Sequence, residues 1–266
     1  MIYPSLTPSV PIPNTSVFTL LFQADPSTAH IGRFPGSYPA FIDANTATTL
    51  SRATLRSLSL SLAYGLTQYP DLHKLAKGDT IMIFSPNSLA WPIILFGSVA
   101  AGLRCTLANS AYTAGELQHQ WIDSGAEVVF VHPSLVRVVM EMFKTGLGLG
   151  DDEARKRVIV SGSEWLTGVQ DEGDLFSSSF LMIIIEKSVG FLGADPSHLG
   201  LIQLPSLLNQ GTLRQEVLFS TKKEADETVY LYYSSGTTGK PKGVEVSLFY
   251  PVVFIPLLFY TGNREI

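Results

Sequence analysis

The residue types needed to hold a polyphosphate are concentrated in residues 232–243, which read YYSSGTTGKPKG. Glycines approach a ligand closely and accept positive φ, so several backbone N–H groups can point at one anion. Serine and threonine hydroxyls add donors, and an ammonium–phosphate hydrogen bond is roughly twice as strong as a neutral one. The run predicts a phosphate-binding loop, and the alternative is a flexible hairpin loop without a ligand. The candidate residues are Ser234, Ser235, Gly236, Thr237, Thr238, Gly239 and Lys242.

The segments on either side of this run have the composition of β-strands. Residues 229–233 are rich in β-branched and aromatic side chains, and residues 243–247 alternate between apolar and polar. A Walker A loop would lead into a helix and would need the spacing G-x-x-x-x-G-K-[ST]. Ser234 stands where that spacing requires a glycine, and Pro241 follows Lys240 where it requires serine or threonine. We therefore expect a hairpin whose loop projects from a sheet, and not a Walker A loop.

The rest of the chain predicts strands that alternate with helices. Residues 80–84 and 127–131 are short apolar runs typical of buried strands. Residues 51–68 predict an amphipathic helix, because leucines recur at helical spacing at positions 55, 58, 62 and 66. This alternation favours an α/β fold with a mainly parallel sheet and crossover helices.

Two helix starts are expected from capping residues. Asn87 or Ser88 would cap the helix that follows the strand at 80–84. Thr113 and Glu116 have the T-x-x-E spacing of a capping box, which predicts a second helix start.

The phosphate run resembles the signature of the adenylate-forming (AMP-dependent synthetase/ligase) superfamily, and a second region resembles it too. The upstream residues GD (78–79), PNS (86–88), AG (101–102), NSAYT (109–113), EL (116–117) and DSGA (123–126) follow the order found in 4-coumarate–CoA ligase-like proteins and acyl-CoA synthetases. Residues 204–211 (LPSLLNQG) resemble a segment of the fungal 4-coumarate–CoA ligase-like sequences. Ser110 departs from the pattern, which usually has proline there.

The resemblance implies an ATP-dependent ligase that activates a carboxylic acid. In such enzymes the carboxylate forms an acyl-adenylate, and CoA then displaces AMP to give a thioester. The candidate residues would hold the ATP phosphates, Mg²⁺ would bridge the phosphates, and Lys240 is a weaker candidate because the family varies that position. The resemblance assigns no catalytic residue, no protein ligand for a metal and no residue that selects the acyl group.

The resemblance also suggests a division of the chain into three parts. We expect an N-terminal segment at residues 1–34, a partial N-terminal domain of an adenylate-forming enzyme at 35–247, and an apolar tail outside the family pattern at 248–266. The expected protein is thus a truncated, catalytically impaired form of an acyl-CoA synthetase. The alternative is a non-catalytic module that binds a nucleotide or a partner.

Residues 248–260 contain no charged side chain and include two prolines. Thirteen helical residues would extend about 20 Å, whereas the hydrocarbon core of a bilayer is about 30 Å thick. We expect no membrane span here, although a membrane association through this run remains the alternative.

The composition of the chain argues against several other classes of function. The net charge of −5 and the lack of a dense lysine and arginine stripe give nucleic-acid binding no electrostatic support. Cys105 is the single cysteine and lies in an apolar stretch, so we expect a core residue and not a nucleophile. The five histidines lack metal-ligand spacing. The N-terminus has no basic region before its apolar residues, which favours a cytoplasmic protein without a signal peptide.

Overall fold

The computed structural model describes residues 15–166, 200–217, 228–234 and 241–247. The helices of these residues are α1 (Val17–Phe22), α2 (Arg52–Gln68), α3 (Ala90–Ala100), α4 (Ala114–Ser124), α5 (Val136–Glu141), α6 (Asp151–Lys156) and α7 (Leu204–Leu208). Short 3-10 turns span Pro133–Leu135 and Glu164–Leu166, and a π turn spans Met142–Gly146.

The strands form one large sheet and two small ones. They are β1 (Ala24–Asp25), β2 (His30–Ile31), β3 (Phe34–Pro35), β4 (Pro39–Ile42), β5 (Thr49–Ser51), β6 (Thr80–Phe84), β7 (Arg104–Ala108), β8 (Ala126–Val131), β9 (Val158–Val160), β10 (Ile202–Gln203), β11 (Thr228–Ser234) and β12 (Lys242–Ser247). The small sheets pair β1 with β2 and β3, and β4 with β5.

The large sheet has the strand order β10-β9-β8-β6-β7-β11-β12. All neighbouring pairs are parallel except β11 with β12, which is an antiparallel pair at one end of the sheet. The chain moves from β6 to β7 in one direction and then crosses back past β6 to reach β8. The predicted α/β fold with a mainly parallel sheet is confirmed.

Helices cover both faces of the centre of this sheet. Along β6, Ile81 and Ile83 pack with α2 and α3, whereas Met82 and Phe84 pack with α4 and α5 on the other side. Strand β8 alternates in the same way. Because parallel strands are joined by crossover helices, both faces are buried and the strands read as continuous apolar runs. This explains why residues 80–84 are apolar at every position but one.

The predictions for α2 and for the α4 start are confirmed. Helix α2 begins after Ser51, whose hydroxyl accepts a hydrogen bond from the Thr54 N–H (3.1 Å). At α4 the Thr113 hydroxyl accepts from the Glu116 N–H, and the Glu116 carboxylate accepts from the Thr113 N–H (2.8 Å). The helix ends at Gly125, whose φ of 62° is the left-handed conformation of a helix C-cap.

The prediction that Asn87 or Ser88 caps α3 is wrong. The cap position is Leu89, and no side chain accepts a hydrogen bond from the first turn. Pro92 lies in that turn and has no N–H, so the turn has one fewer donor to satisfy. The Ser88 carbonyl accepts from the Trp91 N–H (3.1 Å), which satisfies a further donor through the backbone.

The N-terminal elements are attached to α2 by arginines. Arg52 donates to the carbonyls of Leu21 (2.6 Å) and Ile31 (3.0 Å), and Arg56 donates to the carbonyl of Phe22 (2.9 Å). Burial lowers the pKa of both guanidinium groups, with no loss of charge near neutral pH. Among the described helices, none combines the length and the apolar character needed to traverse a bilayer.

Candidate functional site

The hairpin predicted around the phosphate run is present. Strands β11 and β12 pair in antiparallel register, with Tyr233 opposite Gly243 and Ser234 opposite Lys242. Strand β11 also pairs in parallel with β7. The predicted strands at residues 229–233 and 243–247 are therefore confirmed, and the hairpin is joined directly to the parallel sheet.

Only the two ends of the candidate loop fall within the described residues. Ser234 and Lys242 are both exposed, and as register partners they are cross-strand neighbours on one face of the hairpin. No ion pair of Lys242 is found among the described residues. Ser235, Gly236, Thr237, Thr238, Gly239 and Lys240 lie outside the described residues, so the phosphate contacts expected of them stay predictions.

The hairpin loop leaves the sheet at its carboxyl edge. Strands β6, β7 and β11 run parallel and end at Phe84, Ala108 and Ser234. The upstream segments at residues 85–88 and 109–113 follow β6 and β7, so they begin at the same edge. The loop after β6 leads to α3 on one face and the loop after β7 leads to α4 on the other, and ligands of such sheets bind where this change occurs.

The segment after β7 forms a tight turn in spite of its departure from the family pattern. The Tyr112 N–H donates to the Asn109 carbonyl (2.9 Å), and the Ala111 N–H donates to the Asn109 side chain (3.0 Å). Ser110 is the second residue of this turn, a position where proline is favoured because its φ is fixed. The serine thus replaces proline without loss of the turn.

Helix α4 lies against the hairpin, where it contacts Tyr233 on β11 and Pro241, the residue before β12. The Tyr233 hydroxyl donates to the Asp123 carboxylate (2.6 Å). The His119 ring nitrogen Nε2, when it carries the proton, donates to the Pro241 carbonyl at 3.4 Å. Loss of solvent and the hydrogen bond to Asp123 raise the pKa of Tyr233, so its hydroxyl keeps the proton that it donates.

The sequence interpretation missed the contribution of α4. His119 was one of five histidines without ligand spacing, and Asp123 was only part of a motif. Their separation of four residues places both on one face of a helix, which is the single signal that the sequence offered. The contact partners are 122 and 110 residues away, so the sequence could not identify them.

Two other features lie outside the candidate loop. A cavity of about 380 Å³ is lined by Trp121, Ile122, Ala126 and Glu127, among others, and Ala126 begins β8, so it lies at the amino edge of the sheet. Cys105 is fully buried, and burial raises the pKa of its thiol to about 12. The prediction that Cys105 is a core residue is confirmed. The described residues hold no group of three or more His, Cys, Asp or Glu side chains suited to a metal ion.

Comparison with known proteins agrees with the fold and with the sequence resemblance. The family model described as "AMP-binding enzyme" matches residues 28–255. A 4-coumarate–CoA ligase-like protein of Oryza sativa subsp. japonica is 28% identical over 256 residues, which cover 91% of this chain and 35% of the relative. A long-chain-fatty-acid–CoA ligase of Haemophilus influenzae is 30% identical over 206 residues, covering 77% of this chain and 33% of the relative.

Solved structures give the same fold. A long-chain-fatty-acid–CoA ligase of Archaeoglobus fulgidus superimposes with a TM-score of 0.63 at 19% identity, covering 98% of this chain and 42% of that chain. A red-emitting luciferase of Phrixothrix hirtus gives a TM-score of 0.54 at 22% identity, covering 78% and 32%. The chain spans about a third of the length of the curated relatives it matches. The match to more than half of its residues shows that the chain belongs to the AMP-binding enzyme family.

Proposed function

We propose that this chain contributes the nucleotide-phosphate-binding part of an ATP-dependent acid–thiol ligase that converts a carboxylic acid into its CoA thioester. The observation that carries the proposal is the β11–β12 hairpin. It presents Ser234 and Lys242 as neighbours at the carboxyl edge of the sheet, at the two ends of a run of hydroxyls and glycines. The relatives named as CoA ligases support the substrate class.

The proposed reaction has two steps. A carboxylate oxygen attacks the α-phosphorus of ATP, the bond from that phosphorus to the bridging oxygen breaks, and pyrophosphate leaves with the electron pair. The CoA thiol then loses its proton and attacks the acyl carbon, so that a C–S bond forms and AMP leaves. The first step brings two anions together, and its rate depends on positioned cationic and hydrogen-bonding groups.

Lys242 and the loop hydroxyls supply those groups in the proposal. The protein carries a net charge of −5, so an anionic substrate needs local positive charge where it binds. The exposed Lys242 ammonium provides one such charge, and Ser234 provides a hydroxyl donor beside it. Ser235, Gly236, Thr237, Thr238 and Gly239 complete the proposed cradle for the β- and γ-phosphates. Mg²⁺ commonly binds substrate phosphates together with water, so the nucleotide is taken as its Mg²⁺ complex.

Calorimetric titration of the 266-residue chain with MgATP tests the binding part of the proposal. We expect Lys242→Ala to weaken MgATP binding roughly tenfold or more, because a hydrogen bond to a charged group contributes about 1.5–3 kcal/mol. Lys74→Ala is the matched control, since Lys74 is an exposed lysine that precedes the amino end of β6. A change below twofold for Lys242→Ala would contradict the assigned role.

Pyrophosphate release tests the catalytic part. A ligase should release pyrophosphate only when both ATP and a carboxylic acid are present, and a panel of fatty and aryl acids would then identify the acyl class. The same assay on a longer form of the protein shows whether further residues are required. MgATP binding without acid-dependent release from either form would favour the non-catalytic nucleotide-binding module.

A further inference from the structure

The hairpin that carries Ser234 and Lys242 has little packing of its own on its outer strand. Four of the six residues of β12 are exposed, and no described strand pairs with its outer edge. Apolar packing alone therefore cannot fix the ends of the candidate loop, and directed polar contacts gain importance. Among the described residues, two such contacts reach the residues beside the loop ends, and both come from α4.

Helix α4 is itself rigidly attached to the sheet. Gln120 is 1% exposed, and its amide donates to the Thr106 hydroxyl (2.8 Å) and to the Leu107 carbonyl (3.1 Å) on β7. Leu117 and Trp121 pack into the core on the same side. The capping box at its start and the left-handed Gly125 at its end define both helix termini. The helix is thus a fixed support beside a weakly packed hairpin.

The contacts from α4 reach the residues next to the loop. Asp123 accepts the hydrogen bond of Tyr233, which immediately precedes Ser234. His119, four residues before Asp123 on the same helix face, contacts the carbonyl of Pro241, which immediately precedes Lys242. Ser234 and Lys242, the candidate phosphate-binding residues at the loop ends, therefore each come directly after a residue that contacts α4.

The pleat of the hairpin places the side chain that contacts α4 on one face and the candidate binding side chains on the other. Side chains alternate between faces, so Tyr233 points towards α4 whereas Ser234 and Lys242 lie on the opposite face. The Tyr233 ring lies across Gly243, where an added Cβ would approach the ring within 3.1 Å. Glycine at this position thus lets the ring reach Asp123 without displacing β12.

We propose that Asp123 is a positioning residue that acts through Tyr233 to hold Ser234 and Lys242 in the geometry that binds the phosphates of ATP. This inference rests on the proposed function. Asp123 does not touch the nucleotide; it fixes the end of β11, and the hairpin register transmits that position to Lys242. His119 makes the corresponding contact on β12.

Binding of MgATP and of pyrophosphate to the full 266-residue chain tests the inference. The variants are Tyr233→Phe, which removes only the hydroxyl, Asp123→Asn, and the double variant. Tyr233→Phe should weaken binding of each probe roughly three- to tenfold, as expected for the loss of one hydrogen bond that supports a binding group. Asp123→Asn keeps an acceptor oxygen but removes its charge, so it should weaken binding by about twofold. The double variant should bind about as weakly as Tyr233→Phe alone, because that substitution already removes the hydrogen bond that Asp123→Asn only weakens.

Two substitutions serve as matched controls. Tyr38→Phe removes a phenolic hydroxyl from an exposed tyrosine that precedes β4, and Asp152→Asn neutralises an exposed carboxylate on α6. Both should leave the dissociation constants within 1.5-fold of wild type. A purely structural role for Asp123 would lower the unfolding midpoint without changing the dissociation constant of the folded protein, so thermal unfolding is measured on every variant.

The outcomes separate this inference from the proposed function. Binding that Lys242→Ala weakens, but that Tyr233→Phe and Asp123→Asn leave within 1.5-fold, overturns the positioning role and leaves the phosphate site standing. The inference is also overturned if the loss of affinity in the double variant equals the product of the two single losses, because Asp123 and Tyr233 would then act independently. A wild-type chain that binds neither probe overturns the proposed function, and the positioning role with it. If Asp123→Asn does not fold, Tyr233→Phe decides the question alone.

Discussion

The parallel centre of the sheet and the β11–β12 hairpin at its end are stabilised in different ways. In the centre, β6 is buried at all five positions and β8 at all but one, with helices on both faces. In the hairpin, β12 is mostly exposed and directed hydrogen bonds to α4 hold the loop ends. The candidate phosphate-binding residues Ser234 and Lys242 thus lie in a weakly packed part of the sheet, beside residues that hydrogen-bond to α4.

The largest expected difference between the two regions is in stability. Phe130 on β8 is 0% exposed, whereas Val244 on β12 is 53% exposed. Phe130→Ala should lower the free energy of unfolding by about 3–5 kcal/mol, through lost transfer energy and the cavity left behind. Val244→Ala should change it by about 0.5 kcal/mol or less. Urea unfolding followed by circular dichroism measures both, and similar losses would refute the contrast.

The next largest change in stability is expected where two helices pack closely beside the core. A Cβ at Gly65 on α2 would lie 2.2 Å from the Leu207 carbonyl oxygen of α7, so Gly65→Ala should cost about 1–3 kcal/mol. Gly115 on α4 has no atom within 4 Å of an added Cβ, and Gly115→Ala should stabilise by about 0.5–1 kcal/mol. Chemical unfolding should show that the two substitutions change the free energy of unfolding in opposite directions. Changes in the same direction would be inconsistent with the packing described.

The support of the hairpin can be weakened at the start of α4. Thr113→Ala removes the hydroxyl that accepts the Glu116 N–H, and should cost about 1 kcal/mol. Thr113→Ser keeps the acceptor and should restore most of that loss. Hydrogen exchange of the first turn of α4 should accelerate in the alanine variant only. Equal exchange in the two variants would show that the cap does not limit the stability of this helix.

Cys105 marks the border between the two regions, because it is the register partner of Tyr230 on β11. Burial raises the pKa of its thiol from 9.0 to about 12 in the folded chain. Above pH 9 the unfolded chain has lost this proton and the folded chain has kept it, so stability should fall, by about 1 kcal/mol at pH 10.

The comparison of wild type with Cys105→Ala isolates this contribution. The variant should be less stable at pH 7 because of the cavity, but its stability should decline less between pH 8 and pH 10. Burial is the largest cause of the raised pKa of Tyr230, and the charge of the Cys105 thiolate adds a smaller rise that the variant lacks. Parallel pH profiles would show that the thiol is not buried as described.

The sequence predicted the elements in which local pattern and tertiary environment agree. The apolar run at 80–84, the leucine spacing of α2 and the capping box at Thr113 each reflect a single dominant requirement, burial or a hydrogen-bonded helix start. The start of α3 was predicted wrongly because Pro92 and backbone contacts removed the need for a side-chain cap. Propensity for a cap position does not reveal whether the first turn has donors left to satisfy.

The sequence nominated the residues of the candidate site but did not reveal the contacts that hold them in place. The composition of the flanking segments was sufficient to predict the hairpin, and the order of hydroxyls, glycines and lysines nominated Ser234 and Lys242. The contacts of Asp123 and His119 depend on where α4 packs against a strand more than a hundred residues further along the chain. Such contacts follow from the fold as a whole, so no local pattern could reveal them.

Hydrogen–deuterium exchange of the chain with and without MgATP tests the central claim most directly, because it locates the nucleotide on the sheet. The account predicts slower exchange at residues 228–247, where the hairpin leaves the carboxyl edge, and unchanged exchange at residues 125–127, which line the amino-edge cavity. Unchanged exchange throughout 228–247 at saturating MgATP, or protection confined to the amino edge, would contradict it.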